Sequence, residues 1–184
     1  QSARNEMMSL ATAWGYKHHI IIKKSFANDS GIEFFKAETL EETDLDKIKI
    51  SYSNHWAYNY LEEEVPFDKL HILTQAEGLH WTNHHFRQGH RAEENVIAGF
   101  NMVVIDVDGG ISLQAVHELM KEYKFLTYTT KRHSPQENRF RLMLPMNYRL
   151  ELDQAEYKEF MNGIMEWLPF QTDESANQRA KKWE

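Results

Sequence analysis

Residues 101–110, Asn-Met-Val-Val-Ile-Asp-Val-Asp-Gly-Gly, join an apolar β-branched run to two carboxylates one residue apart and a pair of glycines. Such a run is an interior strand, and a strand sends alternate side chains to opposite faces. Val104, Asp106 and Asp108 therefore share one face, and Val103, Ile105 and Val107 share the other. The wholly apolar face calls for a covering layer of helices. The two carboxylates then sit together on the opposite face, near the end of the strand. Carboxylates that close repel unless a cation lies between them or one takes up a proton. Hard oxygen donors of this kind suit Mg²⁺ or Mn²⁺. The plainer alternative is a polar strand end with two solvated acids.

The elements around this strand follow from the same periodicities. Gly109 and Gly110 form a tight exit, and Ser112 is a candidate N-cap for a helix over 113–123, with Leu113, Val116, Leu119, Met120 and Tyr123 on its apolar stripe. A strand is expected over 125–130. After a polar loop, Arg-Phe-Arg-Leu-Met-Leu-Pro (139–145) alternates strictly. A second amphipathic helix is expected over about 152–168, with Phe160, Ile164 and Leu168 on one face. Before residue 100 the pattern is less decisive. It gives a short helix over 1–14, strands over 18–26 and 31–40, a possible helix in Trp-Ala-Tyr-Asn-Tyr-Leu-Glu-Glu-Glu-Val, a break at Pro66 and an irregular histidine-rich stretch over 79–91. The sum is an α+β (or α/β) chain with one helix-covered face. We divide it into an N-terminal αβ subdomain (1–80) and a catalytic unit (81–184), together one compact domain.

Arg139, Arg141 and Met143 share one face of the second strand. Two arginines side by side repel unless something anionic lies over them, and planar guanidiniums suit phosphate oxygens. Pairing with Glu137, or with the two aspartates, is the local alternative. His133 lies in the loop just before, flanked by Lys131 and Arg132, where it could bind phosphate. The four histidines of 79–91 lack familiar zinc-ligand spacings, and we read that stretch as a wet loop with Arg87 and Arg91 as candidate phosphate contacts. Trp56, Tyr58, Tyr60 and Trp81 could stack on bases, but core packing is the more ordinary role for aromatics at this density.

Composition decides between partners. The net charge of −7 argues at first against a polyanion, yet it is unevenly spread. Residues 33–64 carry nine acids and three lysines, a net of −6, whereas residues 128–149 carry five bases and one acid, a net of +4. The basic segment falls next to the acidic pair in sequence. With no cysteine there is no disulfide or thiolate metal site, which fits an intracellular protein. No stretch approaches the roughly 18 apolar residues of a membrane span. A chain that starts at Gln1 and stops on Ala-Lys-Lys-Trp-Glu is expected to be a fragment of something longer.

Three segments together resemble the archaeo-eukaryotic primase superfamily, in particular the primase–polymerase domains of phage and plasmid replication proteins. The hydrophobic-Asp-x-Asp motif is matched by Val-Val-Ile-Asp-Val-Asp-Gly-Gly, and the histidine motif by Tyr-Thr-Thr-Lys-Arg-His-Ser-Pro followed by the arginine strand. The later acidic motif is matched by Phe-Gln-Thr-Asp-Glu-Ser-Ala-Asn-Gln-Arg. The resemblance covers about residues 85–184. It departs at Lys131, where a small residue is usual two before the histidine. It implies a βαβ catalytic unit like an RNA-recognition motif, within a mixed sheet covered by helices, and template-directed nucleotidyl transfer. Asp106, Asp108 and Asp173 would bind two divalent ions, Mg²⁺ or Mn²⁺, with Asp153 as a weaker candidate for the third acid. His133, Arg139 and Arg141, with Lys131 and Arg179, would hold a nucleoside triphosphate, and Arg87, Arg91 and Arg132 would contact nucleic acid. The implied partners are a single-stranded DNA template, nucleotides and a helicase domain or protein, in the bacterial host cytoplasm.

Two other classes fit part of the pattern. Asp-Val-Asp-Gly also resembles the first motif of haloacid dehalogenase-like phosphatases, in which the first acid is a nucleophile; that reading needs a later strand ending in a pair of acids, and Gly110 stands where Thr is expected. The other is a non-catalytic single-strand-binding module, which predicts DNA binding indifferent to metal and to loss of the acids.

Overall fold

The computed structural model describes residues 40–172 and 177–178, so the helix expected over 1–14 and the strands expected over 18–26 and 31–40 fall outside it, Leu40 excepted. In chain order the elements are β1 (Ile48–Ser53), β2 (Leu61–Val65), α1 (Leu70–Gln75), β3 (His80–Thr82), β4 (His85–Phe86), β5 (Val96–Ile97), β6 (Phe100–Asp108), α2 (Leu113–Leu119), β7 (Leu126–Thr129), β8 (Arg139–Leu150) and α3 (Gln154–Trp167). This is an α+β chain.

The central sheet has the order β6-β8-β7, with β8 antiparallel to both neighbours. Strands β6 and β7, joined through α2, therefore run the same way but are held apart by β8. This is a split βαβ unit. Every described ladder is antiparallel where a mixed sheet was expected, because the inserted β8 removes the parallel contact. The expected turn chemistry is present. Gly109 and Gly110 take φ of 86° and 79°, a left-handed exit that other residues adopt only with strain. The Ser112 hydroxyl then accepts from the Ala115 amide at 3.1 Å to cap α2. Asp153 and Glu156 form a reciprocal capping box at the start of α3.

The face bearing Val103, Ile105 and Val107 packs with Phe140, Leu142 and Leu144 against Val116 and Met120 of the α2 segment and Phe160 and Ile164 of α3. The opposite face, for which the sequence named no covering layer, is covered too. Met102, Val104 and Met143 are buried beneath a second cluster made by Ile48, Ile50, Phe67, Leu70 and Trp81. That second layer is the sheet β2-β1-β3 with α1. Val104 has no exposed surface, a burial that contributes about 1.5–3 kcal/mol. The coverage stops one rung later, at Asp106. Strand β3 straddles residue 80 and pairs with β1, so packing crosses the division placed there from the sequence.

Several local expectations change. The possible helix across 56–65 is instead a bent loop followed by β2, which gains its backbone partners along β1. The stretch 79–91 is not wholly irregular, since β3 pairs with β1 and β4 with β5. Helix α2 ends at Leu119, four residues short of the sequence estimate, where Tyr123 turns back to donate to the Met120 carbonyl. Strand β8 runs five residues past Pro145.

Candidate active site

Strand geometry alone places the Cα atoms of Asp106 and Asp108 about 6.6 Å apart on one face. The register of β6 against β8 adds what the sequence could not: Asp106 lies directly opposite Arg141, and Asp108 directly opposite Arg139. Arg141 Nε is 3.3 Å from Asp106 Oδ1, and Arg139 Nη1 is 3.5 Å from Asp108 Oδ2. Each arginine touches one oxygen of its carboxylate, at distances longer than a tight charge-assisted hydrogen bond. The alternative of local pairing is thus realised. Arg139 also donates to Glu137 Oε1 at 2.8 Å, and that hydrogen bond above all, with the charge of Asp108, raises its pKa further. Three carboxylates against two guanidiniums leave this group of five with one negative charge.

Arg141 is held from its other side as well. Its Nη1 donates to the Tyr128 hydroxyl at 2.9 Å, and its guanidinium carbon lies 5.8 Å from the centre of that ring. Tyr128 faces Arg141 across the β7–β8 ladder, so Asp106, Arg141 and Tyr128 form one row across three strands. Burial pushes the Tyr128 phenol up, against the opposing pull of Arg141, and keeps it protonated. Arg141 is only 9% exposed, whereas Asp108 at the strand end is open to solvent.

His133 comes to the same place by a backbone contact. Its Nδ1 accepts the amide N–H of Arg139 at 3.1 Å, which puts the ring at the mouth of β8 and leaves the ring proton on Nε2. A histidine so held is a hydrogen-bond donor toward solvent. Lys131 and Arg132 lie exposed in the same loop. Arg87 and Arg91 are not part of this cluster. Arg87 lines a cavity with Gly99 and Phe100, at the end of β6 about 26 Å from Asp108 by strand rise, and Arg91 donates to the Trp56 carbonyl. Asp153 caps α3 and lines the same cavity as Gly99 and Phe100, at the other end of β6 from Asp108. Asp173 and Arg179 lie outside the described residues.

Sequence reasoning missed Tyr128 and Asn177. Asn177 has no exposed surface; its Oδ1 accepts from the Asp106 amide at 2.8 Å, and its Nδ2 donates to the Asp106 carbonyl at 3.1 Å. Since β6 is an edge strand, this side chain supplies the paired donor and acceptor that a neighbouring strand would. Asn177 falls within the segment matched to the third motif, so part of that segment is docked against the first aspartate.

The donor set fits a divalent cation whose shell is completed from elsewhere. Magnesium commonly takes one or two carboxylates, with water and substrate phosphates supplying the rest. Among the described residues no three His, Asp or Glu side chains gather to hold a metal by themselves. Also among the described residues, no helix is long and apolar enough to cross a membrane.

A sequence family described as the VapE N-terminal domain matches residues 77–179, more than half of the chain. No curated protein matches it. The AEP domain of the cyanophage S-2L primase–polymerase superposes with a TM-score of 0.40 at 8% identity, over 77% of this chain and 72% of that one, too loosely to argue from.

Proposed function

The chain belongs to the VapE N-terminal domain family, and from that premise we propose that it is a metal-dependent primase or primase–polymerase catalytic domain. It would act on a single-stranded DNA template in the replication of a phage or plasmid. The observation that carries the reading is the cross-strand quartet: two aspartates on β6 lie rung for rung opposite two arginines on β8, with His133 fastened to the first of those arginines. Asp106 and Asp108 would hold Mg²⁺ or Mn²⁺, with Asp173 as third ligand. The ions would activate the attacking hydroxyl and steady the leaving pyrophosphate.

The chain's own residues prepare the rest. Arg139 and His133 present donors at the open strand end, where a triphosphate would enter, with Lys131, Arg132 and Arg179 as further cations. Arg141, tied to Tyr128, holds the Asp106 carboxylate in one orientation and offsets part of its charge, so it serves as a positioning residue more than a phosphate clamp. A triphosphate would compete with Asp108 and Glu137 for Arg139, and a cation on Asp108 would favour that exchange.

One observation favours the binding-module reading: both aspartates already have cationic partners, so their charge is compensated without a metal. The phosphatase reading loses ground, because no later strand ending in paired acids occurs among the described residues. The deciding experiment is extension of a labelled primer on single-stranded DNA with Mg²⁺ or Mn²⁺ and each nucleotide set. We expect metal-dependent extension that falls by more than about 100-fold in Asp106→Asn and in Asp108→Asn, beyond the usual effect of losing an outer-shell partner. Extension retained in either variant sinks the assignment.

A further inference from the structure

Tyr60, Trp81, Phe86 and Phe100 are buried, but Trp56 and Tyr58 are 62% and 50% exposed, against the expectation that they pack in the core. They stand in the β1–β2 loop, and each is stacked on a histidine. The Tyr58 and His90 rings are 4.6 Å apart at 22°, and the His55 and Trp56 rings 6.0 Å apart at 23°. Exposed aromatics in a slack loop would need no explanation. This loop is fixed at nearly every residue.

The Ser53 hydroxyl donates to the Tyr58 carbonyl at 2.6 Å and accepts from the His55 amide at 2.9 Å. His55 Nδ1 accepts the amides of both Ala57 and Tyr58 at 3.1 Å. The Trp56 carbonyl takes donors from Arg91 and from the Tyr60 hydroxyl, each at 3.2 Å. Asn59 adopts φ of 60°, unusual for a residue with a side chain, and Tyr60 then donates to the Gly89 carbonyl. Gly89 is obligatory there, since a Cβ would stand 2.7 Å from the Tyr60 carbonyl oxygen. The left-handed Asn59 and the loop's hydrogen bonds thus hold Trp56 and Tyr58 half-exposed, with Tyr58 also meeting the His55 ring at 5.3 Å and 44°, at a site with no part in the Asp106 cluster.

We infer that Trp56 and Tyr58, backed by His55 and His90, form a stacking platform for the bases of single-stranded nucleic acid. Rigid aromatic faces accept any base, since every base has a π-face. On the side of His90 and Arg87 the neighbouring polar groups are donors, as a phosphate backbone requires. His55 and His90 each have Nδ1 engaged, His90 by Asn95, which leaves Nε2–H to donate, and Arg87 is exposed beside Gly89. The carboxylates Glu62–Glu64 of β2 border the loop on one side. Stacking, more than charge, therefore supplies the affinity, and the strand leaves the platform toward Arg87 and Arg91. A duplex, with its bases already stacked on each other, offers this surface little.

The inference rests on the proposed function only in choosing single-stranded DNA as the probe. Its test is the anisotropy of a labelled oligothymidylate titrated with the whole chain, beside Trp56→Ala/Tyr58→Ala and Trp56→Phe, with a duplex of equal length. The expected result is a loss of about tenfold or more in the double alanine variant. Tryptophan emission of the unaltered protein should be quenched on adding DNA, and Trp56→Phe should keep most of the affinity but lose most of that quenching. Binding is read without metal or nucleotide, so failure of catalysis and failure of the platform are read separately. Equal affinity of the double variant and the parent, in protein with an unaltered melting transition, overturns the inference and leaves the surface to a protein partner. Duplex bound as tightly as single strand also overturns it.

Discussion

Single residues differ most here in what surrounds them. His84 is wholly buried between the rings of Phe100 and Tyr157, and burial pushes its pKa down to about 3. It stays neutral in the fold, while in the unfolded chain it titrates near 6.5. The stability that rests on a neutral His84 is therefore present above about pH 6.5 and is lost as pH falls from there toward 3, by about 1.4 kcal/mol per unit. Urea midpoints at pH 7 and pH 5 should show this loss, and His84→Leu should flatten it; an unchanged slope would mean that His84 gains its proton inside the fold. No sequence pattern singled this histidine out from its three neighbours, because burial depends on α3, some seventy residues away. Asp106 and Asp108 could be read directly, since alternation along one strand is local. Their pairing with Arg141 and Arg139 could not, because register between strands thirty residues apart is fixed by packing and not by spacing.

At the level of elements, the site depends on how the edge of β6 is closed. Asn177 satisfies both backbone groups of Asp106 from one side chain. Removing it in Asn177→Ala leaves a donor and an acceptor without that partner, a cost of about 1–3 kcal/mol. The amide of Asp106 should then exchange with solvent much faster while amides in the centre of β8 keep their protection. Hydrogen exchange resolved by residue checks this, and equal protection in both proteins would show that another group closes the edge. Helix positions were readable because caps are local: Ser112 and Asp153 stand where their sequences announce them. The exposed loop before β2 was misread because its shape comes from His55 and Gly89, contacts that no helical or strand period encodes.

Among the described residues the charge is uneven, with three glutamates along the exposed β2, while around the mouth of β8 Lys131, Arg132, Arg139 and Arg141 meet Asp106, Asp108 and Glu137. If Arg87, Arg91 and Arg132 each meet one phosphate, the logarithm of single-strand affinity should fall against the logarithm of salt with a slope of about −2. Each arginine-to-alanine change should reduce that slope by about 0.7. A slope near zero would remove these residues from the DNA path. The second covering layer, β1 to β3 with α1, was the part of the architecture least visible beforehand. Its strands are short, and one of its faces reads as polar.

The rung-for-rung placement of acids and bases also bears on how the chain finds its fold. If β8 slid by one residue along β6, Arg139 and Arg141 would turn into the layer now filled by Phe140 and Leu142, against Val116 and Ile164. Each guanidinium stripped of water there would cost several kcal/mol, and the two aspartates would lose their cations at the same stroke. The neighbouring registers are closed to the folding chain by the same four charges that make up its candidate site. A variant that neutralises all four would thus lose more than chemistry: it would lose the proofreading of its own sheet.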